Sequence, residues 1–161
     1  MIGFLSRLFS RAEASLSEAT ARDASAIATL HSASFRRGWS DQEVEGLLID
    51  RGVIAQRALV GRNLAGFIMS RLAADEAEIL SVAVARNQQG RGLARRLLAL
   101  HLRRLAGLGV NTVFLEVDEH NEPAIRLYSR AGFREVSRRP NYYPQPDGKT
   151  AAALVLHRDI G

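Results

Sequence analysis

Glu78-Ile79-Leu80-Ser81-Val82-Ala83-Val84-Ala85-Arg86-Asn87-Gln88-Gln89-Gly90-Arg91-Gly92-Leu93-Ala94-Arg95-Arg96-Leu97-Leu98 is the stretch on which the fold turns. Ile79 to Val84 is a short apolar run rich in β-formers, the pattern of a well-buried strand. Arg86 to Gln89 is polar and has no apolar period, which predicts a loop. After Gly90 and Gly92, apolar residues recur at Leu93, Leu97, Leu98, Leu102 and Leu105. That is helical spacing, with Arg91, Arg95, Arg96, Arg103 and Arg104 among the polar positions. A helix N-terminus leaves its first N–H groups unpaired and partly positive. Glycines there let a phosphate approach the backbone, and Arg91 and Arg95 add charge. An ordinary strand-to-helix turn, in which glycine only relieves strain, uses the same residues, so the glycines alone decide nothing. No Gly-Lys-Ser/Thr follows, as a Walker loop requires, and the third glycine and later acid of a dinucleotide fingerprint are missing.

Working outward toward the N-terminus, Val53 to Val60 and Leu64 to Leu72 are strand-like and joined by the turn Gly61-Arg62-Asn63. The polar turn Ala73 to Glu76 leads into the central strand, so three antiparallel strands form a meander that feeds the glycine-led helix. Leu16 to Thr20 reads as a first strand, and Arg22-Asp23-Ala24 starts a helix with Ala26, Ile27, Leu30 and Ala33 on one face. Phe35 to Ser40 breaks it. Ser40 with Glu43 is a capping box for a second helix carrying Val44, Leu47 and Leu48. Trp39 serves either as an apolar staple before that helix or as lining of an acceptor pocket.

Toward the C-terminus, Gly107 and Gly109 end the central helix, and Thr112 to Asp118 is a strand. Separated from Ile79–Val84 by one helix, it is most simply parallel to it. Asn121 as cap and Pro123 in the first turn start a helix whose inner side is Ala124, Ile125, Leu127, Tyr128 and Ala131. Phe133 to Arg138 is a strand, Pro140 to Gly148 a loop, and Ala151 to Arg158 a last strand. The expected fold is an α/β mixed sheet of about seven strands flanked by about four helices. It forms one domain over residues 16–161 after an N-terminal extension, 1–15.

With 161 residues and 47% hydrophobic content, the chain has the size and core of one domain. The absence of cysteine removes disulfides, thiolate zinc sites and a cysteine nucleophile together, and fits a reducing cytoplasm. His31, His101, His120 and His157 are scattered without metal-ligand spacing, so no metal site is expected. The net charge of +5 is carried almost entirely by arginine, Lys149 being the only lysine, and favours acidic partners: a phosphate-bearing ligand, RNA or an acidic peptide. No stretch is long and apolar enough to span a membrane. Ile2, Leu5, Leu8 and Phe9 form a short amphipathic segment, read as a packed or frayed helix in preference to a membrane-surface anchor or a secretory signal.

Two residues stand out chemically. Glu116 lies inside an apolar strand, on the face opposite Val113, Leu115 and Val117. It is either a carboxylate at a solvated strand end, paired with an arginine, or a general base that takes a proton directly or through a water. Tyr128 is either a core aromatic or a proton donor. An α-amine, with a pKa of about 8, needs far less help to lose its proton than a lysine at about 10.4.

Gln89-x-x-Gly92-x-Ala94, after a strand and at a helix start, resembles the signature of the GNAT acetyltransferases, whose loop binds the pyrophosphate of acetyl-CoA through backbone amides. Leu115-Glu116-Val117, Asn121-x-Pro123-Ala124-x-x-Leu127-Tyr128-x-x-Ala131-Gly132-Phe133 and Arg139-Pro140-Asn141-Tyr142-Tyr143-Pro144 are similar to the RimI-type protein N-terminal acetyltransferases. The resemblance implies acetyl-CoA as co-substrate. It places cofactor contacts on Val82, Ala83, Val84, Gln89, Gly90, Arg91, Gly92, Leu93, Ala94, Arg95 and Asn121. It makes Glu116 the base and Tyr128 the acid, with Trp39, Tyr142 and Tyr143 around the acceptor. The implied acceptor is the N-terminal alanine of a small-subunit ribosomal protein, in the cytoplasm. The implied reaction is direct attack, with backbone N–H groups near Val82 polarising the carbonyl. Residues 78–158 carry this likeness well. The N-terminal half does so loosely, because Phe35-Arg36-Arg37-Gly38-Trp39-Ser40 departs from the family's Phe-Pro-Trp-Ser segment. A GNAT acting on lysine or a small amine, and a non-catalytic RNA- or ribosome-binding module, are the rival expectations. The second fits poorly, since aromatic residues are few and not interleaved with the basic ones.

Overall fold

The computed structural model describes residues 12–161; the amphipathic segment at residues 2–9 lies outside them. Seven strands form one sheet: β1 (Ser15–Glu18), β2 (Val53–Val60), β3 (Asn63–Ala73), β4 (Glu76–Val84), β5 (Thr112–Asp118), β6 (Arg134–Pro144) and β7 (Thr150–Asp159). Among the described residues four α-helices accompany it: α1 (Ala24–Ser34), α2 (Asp41–Ile49), α3 (Leu93–Gly107) and α4 (Glu122–Arg130). The strand order is β1-β2-β3-β4-β5-β7-β6. Only the β4–β5 pair is parallel, as the intervening helix requires. Among the described residues no helix is long and apolar enough to cross a membrane.

Each face of the sheet carries its own core. Leu97, Leu98 and Leu105 of α3 pack with Ile68, Val113 and Leu115 on one face. Ile27 and Ala28 of α1 and Val44 of α2 pack with Phe67, Met69 and Ala83 on the other. The inner face of α1 differs from expectation. Ala24, Ile27, Ala28 and His31 are buried, while Ala26 and Ala33 are exposed. His31 takes an inward position that an apolar count passes over.

Two departures from regular pairing shape the middle of the sheet. Met69 pairs with Ser81 and Ser70 with Ile79, so Leu80 is an extra residue in β4. Across that bulge the faces swap: Ile79 belongs to the α3 core and Ala83 to the α1 core. Then β4 and β5 pair only through Glu76–Thr112, Ala77–Val113 and Glu78–Phe114, after which they diverge. The backbone edge of β4 beyond Glu78 therefore has no β5 partner.

Gly66 shows how tightly β3 is held against this edge. A Cβ there would lie 2.9 Å from the Ala83 carbonyl oxygen and 3.1 Å from Leu97 Cδ1. Gly66→Ala should cost about 1–3 kcal/mol, because the neighbour that must move is backbone. Urea unfolding measures it; a variant as stable as the parent would contradict this packing.

A buried polar chain ties α3 to the sheet. Gln56 Oε1 can only accept, so His101 Nδ1 donates to it and His101 Nε2 accepts from Ser70 Oγ at 2.6 Å. Gln56 Nε2 donates to Glu18 Oε1 at 3.2 Å, and Arg104 Nε donates to the same oxygen at 3.0 Å. Burial pushes the His101 imidazole down to about 3. In the unfolded chain a histidine titrates near 6.5, so the unfolded state binds the extra proton first as pH falls. The neutral imidazole thus contributes full stability above about pH 6.5, and this is lost progressively toward pH 3, at up to about 1.4 kcal/mol per pH unit. The slope of unfolding free energy between pH 7.5 and 4.5 should be steeper in the parent than in His101→Leu; equal slopes would contradict the assignment.

The sequence reads Pro140 to Gly148 as a loop, and here the structure differs. Strand β6 continues through Pro144, pairing Tyr143 with Ala151 and Pro144 with Thr150. Proline is tolerated because β6 is the sheet edge and its register breaks between Arg139 and Tyr143. Asn141 absorbs the irregularity at a φ of 54°. The loop between Arg86 and Gln89 contains a short 3-10 turn, Arg86–Gln88.

Candidate active site

The diverging strands open a cleft of about 890 Å³. One wall is Val82, Ala83 and Val84 of β4, with its unpaired backbone edge. The opposite wall is α4, through Asn121, Ala124, Leu127, Tyr128 and Ala131. The start of α3 contributes Gly92, Leu93, Ala94 and Arg95. Ten of the eleven expected cofactor contacts share this one cavity, together with Tyr128.

The start of α3 has no side-chain cap, and its first helical bond runs from Arg96 N–H to the Gly92 carbonyl at 3.1 Å. The N–H groups of Leu93, Ala94 and Arg95 precede that bond and have no helical acceptor. Gly92 takes a φ of 74°, a left-handed conformation that costs a side chain about 1–2 kcal/mol. These donors, with Arg95, Arg126 and Arg130 on the cleft wall, fit a long ligand carrying phosphates. Gln89 Nε2 donates to the Val84 carbonyl at 3.1 Å and holds the loop against β4. Arg91 is the exception: it lies off the cavity and donates to Gln88 Oε1 at 3.0 Å.

Asn121 does two things at once. Its Oδ1 accepts the Ala124 N–H at 3.3 Å, capping α4, and the residue also lines the cleft. Tyr128, only 7% exposed, packs edge-on against Phe133 with ring centroids 5.5 Å apart. Burial pushes its hydroxyl up to about 12, so it holds its proton at neutral pH.

Glu116, Trp39, Tyr142 and Tyr143 do not line the cavity. Glu116 Oε1 lies 3.2 Å from Arg139 Nε, with the side chain 20% exposed. That is the arginine pairing the sequence left open beside the catalytic role. Arg139 also sits over the Tyr142 ring, 5.7 Å from its centroid, and Tyr142 packs edge-on against Tyr143. Tyr143 is pushed up to about 12, first by burial and then by the nearby Glu116 carboxylate. The expected base and two of the expected acceptor residues thus form a cluster of their own, off the cavity lining. Trp39 stacks on His31 and packs into the α1 core.

Several residues of the site went unnoticed in the sequence. Pro123, Arg126 and Arg130 recur at i, i+3 and i+7 as a stripe next to Leu127 and Ala131, and with Ala124, Leu127, Tyr128 and Ala131 also on the cavity the face read as the inner side of α4 is in part a cleft wall. Ser34 and Phe35 reach the cleft from the end of α1, and no spacing rule points to them.

The acetyltransferase (GNAT) family model matches residues 24–133. The [ribosomal protein bS18]-alanine N-acetyltransferase of Escherichia coli K12 is 39% identical over 93 residues. This aligned stretch covers 58% of the chain and 63% of that enzyme, less than two thirds of its length. The crystal structure of the Escherichia coli ribosomal-protein-S18-alanine N-acetyltransferase superposes with a TM-score of 0.86 at 28% identity, covering 92% of this chain and 94% of that one. The fold also matches Arabidopsis thaliana NAA60 in complex with acetyl-CoA, with a TM-score of 0.80 at 21% identity, over 91% of this chain and 98% of that one. With the glycine-led helix start, the splayed strands and the matched residues in agreement, the chain belongs to the GNAT acetyltransferase family.

Proposed function

We propose that the protein moves an acetyl group from acetyl-CoA to the α-amine of a protein N-terminus, in the cytoplasm, the acceptor being the N-terminal alanine of a small-subunit ribosomal protein. The observation that carries the reaction is the single cleft combining uncapped helix donors, a free strand edge and the protonated Tyr128. The likeness to alanine N-acetyltransferases and the Asn141-Tyr142-Tyr143-Pro144 run support the acceptor.

Acetyl-CoA brings the activated thioester. In this reading Leu93, Ala94 and Arg95 N–H groups hold its phosphates, and the β4 edge near Val82 binds its extended arm and polarises the carbonyl. Glu116 leaves Arg139 to take the amine proton, directly or through a water. Tyr128 gives its proton to the departing sulfur. The amine attacks directly, since the chain has no cysteine to carry the acetyl group.

The test offers the enzyme two peptides in equal amounts, one with a free N-terminal alanine and no lysine, the other N-terminally blocked with an internal lysine. Acetylation of the first by mass spectrometry supports the proposal. Preference for the second would move the acceptor to lysine side chains. Arg96 and Arg104 of α3 are engaged by the Ala14 carbonyl and Glu18, which leaves less of that helix for RNA.

A further inference from the structure

The Glu116 cluster does not line the cleft, yet one loop reaches both the cleft and the strand that carries most of the cluster. Phe35 lines the cleft. One residue later, Arg36 Nη1 donates to the Pro144 carbonyl at 2.6 Å, on the strand carrying Arg139, Tyr142 and Tyr143. The loop from Phe35 to Ser40 is the physical link between the two halves of the site.

One buried side chain braces both ends of that loop. The His31 ring stacks on Trp39 at 3.9 Å and 9°, and on Phe35 at 4.5 Å and 29°. Its Nδ1 accepts the Trp39 backbone N–H at 3.1 Å, which bridges the two ends of the loop. Phe67 of β3 packs from below, with centroids 6.5 Å apart. The loop also presses on α1, where a Cβ at Gly38 would fall 2.1 Å from Ser32 Oγ. His31 itself is buried and touches neither the cleft nor Glu116 in the lining above.

We infer that His31 is a positioning residue for the acceptor, fixing through Trp39 and Phe35 the loop that joins the cleft to the Glu116 cluster. This rests on the acyl-transfer reading above. Burial lowers the pKa of His31, against a smaller opposing pull from Glu43, which keeps Nδ1 free to accept. In that reading most acetyl-CoA contacts come from β4, α3 and α4 and the loop adds only Phe35 to the cleft, so loosening the loop should change acetyl-CoA binding far less than acceptor binding. In this inference the acceptor passes the loop on its way to Glu116, so its KM should feel the change.

The experiment compares the parent with His31→Ala, His31→Asn and Phe35→Ala. It measures KM for an alanine-led peptide, KM for acetyl-CoA and kcat. His31→Ala should raise the peptide KM by roughly tenfold, with the acetyl-CoA KM within about twofold. His31→Asn keeps an acceptor for the Trp39 N–H and should recover part of the loss. Phe35→Ala, at a position 38% exposed that itself lines the cleft, removes one partner of the stack without emptying the core and is read on the peptide KM alone. Trp39 is the only tryptophan, so its emission reports the stack; it should shift in His31→Ala and respond to the peptide in the parent. An unchanged peptide KM in folded variants, or an acetyl-CoA KM rising in parallel in His31→Ala, would overturn the inference. A parent enzyme that acetylates no amine would overturn the transfer reading on which it rests.

Discussion

Glu116→Gln should lower kcat by about a hundredfold or more, with acetyl-CoA affinity unchanged. The substitution keeps size and polarity but removes the carboxylate proposed to take the proton. Glu116 lies outside the cleft lining, so its loss leaves the cofactor walls intact. It also leaves Arg139 without its carboxylate partner. At a largely exposed arginine, that loss is worth about 1 kcal/mol at most, and folding should survive it. Steady-state kinetics with isothermal titration of CoA separates the two effects. A Glu116→Gln enzyme turning over normally would mean that the Arg139 pair is the whole role of Glu116.

Tyr128→Phe should lower kcat by about tenfold to a hundredfold with little change in unfolding temperature. The ring packs against Phe133 and stays in place; only the hydroxyl on the cleft wall is lost. Because burial pushes that hydroxyl up to about 12, the parent should show no alkaline loss of kcat from this residue below about pH 11. The measurement is kcat against pH for both enzymes. A thiolate leaving without help would make the two profiles coincide, and Tyr128 would then be a packing residue.

Local signals made the middle of the chain legible. Glycines at a helix start, apolar spacing at Leu93, Leu97 and Leu98, and an asparagine cap before Pro123 each have one dominant reading. The parallel pairing of β4 with β5 followed from the crossover helix. What stayed hidden depends on long-range contacts. Edge position lets β6 carry Pro140 and Pro144, and no local pattern announces an edge. Likewise, Arg139 meets Glu116 only because β6 and β5 both pair with β7. His31 was passed over because its role comes from the fold of the following loop, not from its place in the α1 period. Arg91 adds charge at the helix start, and in the structure its side chain donates to Gln88 Oε1.

The most direct test of the whole account is to mix the protein with acetyl-CoA and a short alanine-led peptide, and to follow peptide mass and free thiol together. The account predicts one acetyl group on the peptide N-terminus for each thiol released. No thiol release, with no protection of the protein by acetyl-CoA against heat, would contradict the reading of the cleft between β4 and α4.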